Sequence, residues 1–121
     1  MRAILFWLVL LGCSSTVHGA DYLRDKSEVR SLLEGQILQG TYLRTGSAYT
    51  LEFAEDGTLR NSSGAEGRWW VNDQGQYCRE WLSGRLKGNK ACLDLMAEDD
   101  GGIAIYSRGK RVAEGLLTGS R

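Results

Sequence analysis

The residue types that most often carry out chemistry are scarce in this chain of 121 residues, which holds three cysteines and one histidine. The histidine, His18, lies beside a segment typical of an export signal. The rest of the chain therefore has no imidazole for a Ser/His/Asp or Cys/His relay or for a histidine-based metal site. We expect no catalytic residue, no metal ligand and no cofactor, and we predict a binding protein rather than an enzyme.

Carboxylates are more numerous, and one group is clustered: Glu98, Asp99 and Asp100 precede Gly101. A calcium site needs about six to eight oxygen ligands at defined spacing, and the D-x-D-x-D-G pattern is absent. A solvated turn is the better interpretation. The 15 acidic residues always include some pair with the spacing for glycoside hydrolysis, but nothing in the sequence singles out two of them.

The aromatic residues of segment 67–71 indicate a binding surface instead. In a strand, Trp69 and Val71 would share one face. Arg68 and Trp70 would then emerge on the other. If Trp69 fills the core, Trp70 is either covered by the N-terminal helix or available to a partner. A tryptophan beside an arginine is typical of interaction surfaces, so Arg68 and Trp70 are the candidate binding residues.

Cys78 and Cys92 form the best-defined pair in the sequence. If the intervening loop is centred near Arg85, residues at equal distances from it face one another on antiparallel strands. This register places the two cysteines opposite each other, and it also places Glu80 opposite Lys90, a favourable cross-strand pair. A disulfide there would close a ring of about 15 residues and contribute about 3 kcal/mol in the chain-entropy model. Without a C-x-x-C motif or a nearby histidine, its purpose would be structural.

The same register assigns the two faces of this hairpin. Tyr77, Arg79 and Trp81 lie on one side, together with the leucines of the second strand, whereas the cysteines share their side with charged residues. The first side is the more apolar and should face the core. We therefore expect the disulfide on the outer face, partly accessible.

The elements that must position these residues start with one helix, predicted within residues 21–34. Its apolar stripe ends in Leu32 and Leu33, at helical spacing. Ser27 is the predicted N-cap and Gly35 the predicted stop. Because the helix is short, it must dock on the rest of the fold to be stable.

Beyond residue 36 the hydrophobic period changes to two, which is typical of half-buried strands. Turn-forming segments rich in Gly, Asn and Asp separate the apolar runs. The predicted strands cover about 36–44, 47–54, 57–61, 66–72, 76–82, 90–96, 103–107 and 110–117. This even spacing predicts a mainly β fold: an eight-strand antiparallel meander that closes as a small, calycin-like barrel, with a short N-terminal helix.

Residues 1–12 read as a signal peptide, with a basic start and an apolar run. The run is shorter than the ~20 residues that span a bilayer and suits a signal-peptide core. The LLGC sequence that ends at Cys13 resembles the lipobox of bacterial lipoproteins, in which the cysteine is lipidated and becomes the mature N-terminus. Leu11 departs from the small residue usual at its position. Ordinary cleavage after Gly19 or Ala20 is the alternative.

Cysteine pairing favours lipidation, because a disulfide between the other two cysteines leaves Cys13 unpaired in an exported protein. Residues 13–20 would then be a lipidated tether, and residues 21–121 a single β-rich domain. Ser14 rather than Asp follows the cysteine, a pattern similar to that of lipoproteins sent to the outer membrane. We predict an outer-membrane lipoprotein that faces the periplasm, with a soluble periplasmic protein as the alternative.

The charges balance, with 15 Lys and Arg against 15 Asp and Glu. A formal charge of zero argues against an electrostatic nucleic-acid binder and against a polybasic membrane-surface protein. We expect membrane contact only through the N-terminal lipid anchor, and an envelope protein or polymer as the partner.

A series of short motifs carries a resemblance across residues 27–95. The motifs are L-L-x-G at 32–35, D-G-T at 56–58, G-x-W-x-V at 67–71 and G-x-x-C-x-x-W at 75–81, followed by Cys92. Their order resembles that of a family of small exported proteobacterial proteins known only as a domain of unknown function. Members often carry Cys-Tyr where this chain has Cys92 and Leu93. The resemblance implies export, a small β-rich fold and the pairing of Cys78 with Cys92, but no chemistry.

A second resemblance is to the small lipoprotein inhibitors of lysozyme, which are β-barrels of this size with a disulfide. Residues 46–49 (GSAY) are similar to their S-G-x-x-Y loop, with Thr45 in the place of the serine. This resemblance implies an inhibitor of a hydrolase that attacks the cell envelope.

Together these patterns predict a non-catalytic cell-envelope domain that binds a protein partner or an envelope component. The alternatives are a calycin-like carrier of a small apolar ligand and the hydrolase inhibitor. Many inward Trp and Tyr side chains leave little room in so small a barrel, which favours surface binding. An interior cavity of about 300 Å³ or more would instead favour a carrier.

Overall fold

The computed structural model describes residues 21–119, in which one short helix precedes eight strands. Each strand pairs antiparallel with its neighbour in the chain and the last pairs with the first, so the sheet closes into a barrel. The elements are α1 (Lys26–Leu33), β1 (Ile37–Tyr42), β2 (Ser47–Phe53), β3 (Thr58–Asn61), β4 (Glu66–Val71), β5 (Tyr77–Trp81), β6 (Lys90–Ala97), β7 (Gly102–Ser107) and β8 (Lys110–Leu117). The predicted eight-strand barrel with a short N-terminal helix is confirmed. The predicted signal peptide, tether and lipidation at Cys13 lie outside the described residues.

The start of α1 differs from the prediction. Asp25 is the N-cap: its carboxylate accepts a hydrogen bond from the Glu28 N–H at 3.0 Å and a second from the Ser27 hydroxyl at 2.9 Å. The prediction that Ser27 caps the helix is wrong, because Asp25 has the extended backbone that a cap requires and Ser27 already lies in the first turn. The predicted stop is correct, and Gly35 has a φ of +76° there.

The helix and the chain before it lie across one end of the barrel. Leu33 is fully buried in the barrel core. Backbone hydrogen bonds anchor both sides of the helix: the Leu23 N–H donates to the Leu95 carbonyl at 2.8 Å, and the Gly35 N–H donates to the Phe53 carbonyl at 2.7 Å. Because these carbonyls belong to β6 and β2, the segment spans the barrel opening.

The two ends of the barrel therefore differ. The closed end, covered by α1, is formed by loops 54–57, 72–76 and 98–101. The open end is formed by loops 43–46, 62–65, 82–89 and 108–109, and no described helix covers it.

One glycine shows how tightly the N-terminal segment is seated. Gly75 in the closed-end loop has a φ of +79°, and a Cβ built there would collide with the backbone of Arg24. Only a residue without a side chain combines this left-handed backbone with so close an approach.

The barrel interior is filled with apolar side chains. Inward residues on all eight strands are buried: Leu38, Leu51, Phe53, Leu59, Trp69, Val71, Tyr77, Trp81, Leu93, Leu95, Ile103, Ile105 and Ala113. Phe53 contacts both Trp69 and Tyr77 edge-on, with ring centroids 5.4 Å apart in each pair. Edge-to-face pairs of this kind add to the stabilisation from burial. The predicted core positions of Trp69, Tyr77 and Trp81 are confirmed.

The β5–β6 hairpin has the predicted register. Cys78 pairs with Cys92 and Glu80 pairs with Lys90. The disulfide is formed, with sulfur atoms 2.08 Å apart. It lies on the outer face as expected, although Cys78 is fully buried and only Cys92 is exposed.

Candidate functional site

Trp70 lies on the outer face of β4, partly buried, with two cations near its ring. The Arg68 guanidinium carbon lies 5.4 Å from the centre of its ring, and the Lys90 ammonium lies 5.7 Å from it. Cross-strand pairing brings Trp70 beside Cys78 and Arg68 beside Glu80. We call these residues, together with Cys92, the Trp70 patch. Its backbone belongs to three hydrogen-bonded strands, so the aromatic ring is presented on a rigid surface.

The helix does not cover this patch. Its Arg30 guanidinium instead lies 4.3 Å from the centre of the neighbouring Trp69 ring. The Trp69 indole N–H donates to the Ala54 carbonyl at 2.9 Å, which fixes that ring at the closed end. The helix therefore contacts the ring of Trp69, and Trp70 keeps part of its surface exposed.

The charges of the patch are partly paired. Arg68 donates two hydrogen bonds to a single oxygen of Glu80, at 2.8 and 3.0 Å. Lys90 has no carboxylate within ion-pair distance in the described part of the chain, although Glu80 is its cross-strand neighbour. A cation that keeps its charge beside an indole ring can bind a carboxylate while the ring packs against an apolar or sugar surface.

The acidic turn at residues 98–101 consists of one ion-paired carboxylate and two exposed ones. Glu98 accepts hydrogen bonds from Arg111 at 2.8 and 2.9 Å, and Asp99 and Asp100 are exposed in a single turn of 3-10 helix. Hydrogen bonds to Glu98 and then to Glu114 raise the pKa of Arg111. Across residues 21–119 no group of His, Cys, Asp and Glu side chains is arranged to hold a metal ion.

Loop charges are segregated between the two ends of the barrel. The open-end loops carry Arg44, Arg85, Lys87 and Arg108 and no acidic residue, whereas the closed-end loops carry Glu55, Asp56, Asp73, Glu98, Asp99 and Asp100 and no basic residue. Two leucines of loop 82–89 are also exposed, Leu82 by 52% and Leu86 by 49%. The open end is therefore basic with apolar side chains at its rim.

An arginine faces the inside of the barrel, and sequence reasoning did not single it out. Arg79 is the cross-strand partner of buried Trp69 and of Ala91, so it shares their inward face. It donates one hydrogen bond, at 2.8 Å, to the side chain of Asn89. No carboxylate among the described residues lies within ion-pair distance of it. The signal was present in the sequence, as a charge at a core-facing position of an alternating strand.

Two tyrosines face the same region. The hydroxyl of Tyr77 is buried and has no hydrogen-bond partner in the described part of the chain. Burial raises the pKa of Tyr77 above its usual range, and burial also raises the pKa of Tyr49 to about 12. The charge of Arg79, which shares the inward face of β5 with Tyr77, opposes the increase in both pKa values.

A groove of about 490 Å³ lies over β8, β1 and β2, and its lining includes Gly40 and Tyr49. Most of its lining points outward from the sheet, including Gln39, Thr41, Ala48 and Thr50. It is a surface feature and not the interior cavity that would indicate a carrier.

In comparisons with known proteins, no protein family, no curated protein and no solved structure matches the chain. The fold defines the class, a small closed antiparallel barrel with one end covered by a helix. Within residues 21–119, no helix has the length and apolar character needed to cross a membrane.

Proposed function

We propose that this chain is a non-catalytic binding domain of the bacterial cell envelope, and that the Trp70 patch contacts its protein or polymer partner. The observation that carries the proposal is the Trp70 ring, outward-facing and only partly buried, beside Arg68 and Lys90 on paired strands. An aromatic side chain on a rigid backbone buries a large area on binding and loses little entropy. The filled interior supports a surface partner over an internal ligand.

The proposed envelope location rests on the sequence. The LLGC motif, the resemblance to a family of exported proteins and the disulfide all point to it, since disulfides persist mainly in oxidising compartments. We propose an outer-membrane lipoprotein anchored through Cys13 and facing the periplasm. A soluble periplasmic protein is the alternative.

A calycin-like carrier is a second candidate. Its ligand would be small and apolar, and neither the packed core nor the inward polar groups of Arg79 and Tyr77 favour such a ligand. The hydrolase inhibitor rests only on the resemblance of residues 46–49, and Tyr49 of that segment is turned inward against Gly40.

The first test is Trp70→Ala. Because Trp70 lies on the outer face, the variant should unfold within about 1 kcal/mol of the wild type. Capture of an envelope component by the tagged, exported protein should fall at least tenfold, the loss expected of an interface hot spot, about 2 kcal/mol or more. Denaturant unfolding and quantitative capture from envelope fractions measure the two effects.

Two comparison variants make the result specific. Leu116→Ala removes another exposed apolar side chain, 51% exposed on β8, and should leave capture unchanged. Trp69→Ala removes the inward neighbour and should cost about 3–5 kcal/mol of stability. The proposal fails if Trp70→Ala destabilises the fold as Trp69→Ala does, or if capture is unchanged.

A further inference from the structure

The inward faces of β5 and β2 bring three polar groups together above the core. On β5, Arg79 lies two residues beyond Tyr77, towards the open end. Tyr77 contacts Phe53 across the barrel, and Tyr49 lies on the same face of β2 as Phe53, again nearer the open end. The Tyr49 ring rests against Gly40, where an added Cβ would lie 3.2 Å from its hydroxyl oxygen.

These groups are hydrogen-bond donors without enough acceptors. A guanidinium has five N–H donors, and Arg79 uses one of them, on Asn89. The Tyr77 hydroxyl is buried with no partner in the described part of the chain, which is costly for a polar group. Buried or half-buried cations are normally paired with an anion, and the residues described here supply none for Arg79.

The surface above the site would attract an anion. Every charged residue in the open-end loops is basic, among them Arg44, Arg85 and Arg108. The loops of the opposite end are acidic, although Lys26 and Arg111 pair with two of their carboxylates, so an anion is attracted more to the open-end loops. Ala91 beside Arg79 is small, whereas the space over Gly40 is filled by the Tyr49 ring and the Glu114 carbonyl.

We infer that the open end of the barrel binds the oxyanion of a small ligand, a carboxylate or a phosphate, with Arg79 as its ion-pair partner and the hydroxyls of Tyr49 and Tyr77 as further donors. A planar guanidinium beside two hydroxyl donors is complementary to such an oxyanion. The site is separate from the Trp70 patch, because Arg79 and Tyr77 face inward on β5, whose outer face carries part of that patch, and Tyr49 lies on β2.

A purely structural role accounts for only part of the arrangement. Arg79 can cover the core with its aliphatic stem while its head reaches the rim. That role does not explain Tyr77, since phenylalanine would fill the same space without burying an unpaired hydroxyl. Replacement of Tyr77 by Phe should therefore raise the stability of the ligand-free protein and at the same time weaken anion binding, a combination that a packing role does not produce.

The experiment titrates the exported, disulfide-bonded protein with three probes, followed by the backbone amide shifts of residues 40, 49, 79 and 91. The probes are inorganic phosphate, acetate and octanoate. We expect saturable shifts at these amides. Arg79→Gln should weaken binding by about ten- to a hundredfold, as expected for loss of a charged hydrogen-bond partner. Arg60→Gln, which removes an outward arginine of β3 that is paired with Glu66, should leave the affinity unchanged.

The remaining outcomes decide the ligand and the proposal. Octanoate binding at least tenfold tighter than acetate, with added shifts at Leu82 and Leu86, identifies an amphiphile with an anionic head. Similar affinities for all three probes identify a small free anion. If Arg79→Gln fails to fold, Tyr77→Phe alone decides, through its unfolding midpoint and its affinity. The inference is overturned by the absence of saturable shifts, by equal losses in the two arginine variants, or by a Tyr77→Phe protein with lower stability and unchanged affinity.

Discussion

Asp25 and Ser27 lie two residues apart, and both residue types are good N-caps. The structure uses Asp25 as the cap and Ser27 as a donor to its carboxylate. The hydrogen bond from the Glu28 N–H, followed by that from the Ser27 hydroxyl, lowers the pKa of Asp25. The cap matters beyond the helix, because α1 closes one end of the barrel.

The pH dependence of stability should report this cap. A lowered carboxyl pKa contributes stability above the unfolded value of about 3.9, and the contribution is lost as the pH falls through the folded value. Asp25→Ala should therefore lower the melting temperature at pH 7, and its difference from the wild type should shrink below about pH 4. Asp25→Asn keeps a capping oxygen but has no charge that titrates. The difference in melting temperature between Asp25→Asn and Asp25→Ala should therefore not depend on pH. An Asp25→Ala deficit of constant size down to pH 2 would contradict the assignment.

Among the elements, the β5–β6 hairpin joins the two proposed binding regions. Its outer face carries Glu80, Lys90 and the disulfide of the Trp70 patch, and its inner face carries Tyr77 and Arg79. Cys78 and Cys92 are separated by 14 positions in the sequence, and their bond holds the two strands in a single register. A slip by one residue would exchange the two faces.

Removal of the disulfide should therefore destabilise the barrel without creating an activity. The Cys78→Ala/Cys92→Ala double variant should lose about 3 kcal/mol of unfolding free energy, the chain-entropy value for a loop of this size. Denaturant unfolding measures the loss, and non-reducing mass spectrometry of the wild type should find the two half-cystine peptides linked. A free thiol at either position in the folded protein would refute the pairing.

For the molecule as a whole, positive and negative charges are equal in number, but the basic and acidic loops lie at opposite ends of the barrel. The chain has a formal charge of zero, yet its open-end loops are basic and its closed-end loops are acidic. The loops at the two ends of the barrel therefore differ in charge. An N-terminal anchor would start from the closed end, where the Leu23 N–H donates a hydrogen bond to the Leu95 carbonyl. We propose that the open end then faces away from the anchoring membrane.

Lipidation can be tested on the whole chain. If Cys13 carries the anchor, Cys13→Ser should move the protein from the membrane fraction to the soluble fraction after export, because no lipid remains to hold it. Fractionation followed by immunoblotting measures the change. Detection of a mature N-terminus at Ala20 or Asp21 in the unmodified protein would show ordinary cleavage instead.

Local patterns were enough to predict most elements of the barrel. Alternation along segments such as 49–53 and Gly-rich turns located all eight strands within a few residues, because strand period and turn chemistry are properties of neighbouring residues. The cysteine register was also predictable, since the two strands are joined by one short loop. The choice between Asp25 and Ser27 was not, because it depends on where the docked helix can begin.

The sequence by itself determined a small β-rich barrel, the faces of Trp69 and Trp70, and the position of the disulfide, since each follows from contacts between neighbours in the chain. Only the tertiary structure decided that α1 closes one end rather than covering Trp70, because closure pairs β8 with β1 and leaves a barrel end to be covered. It also decided that Tyr49 on β2 and Arg79 on β5 point into the same barrel interior. Two strands separate β2 from β5 in the sheet, and the two residues share one interior only because the sheet curves and closes. No local sequence pattern encodes that closure.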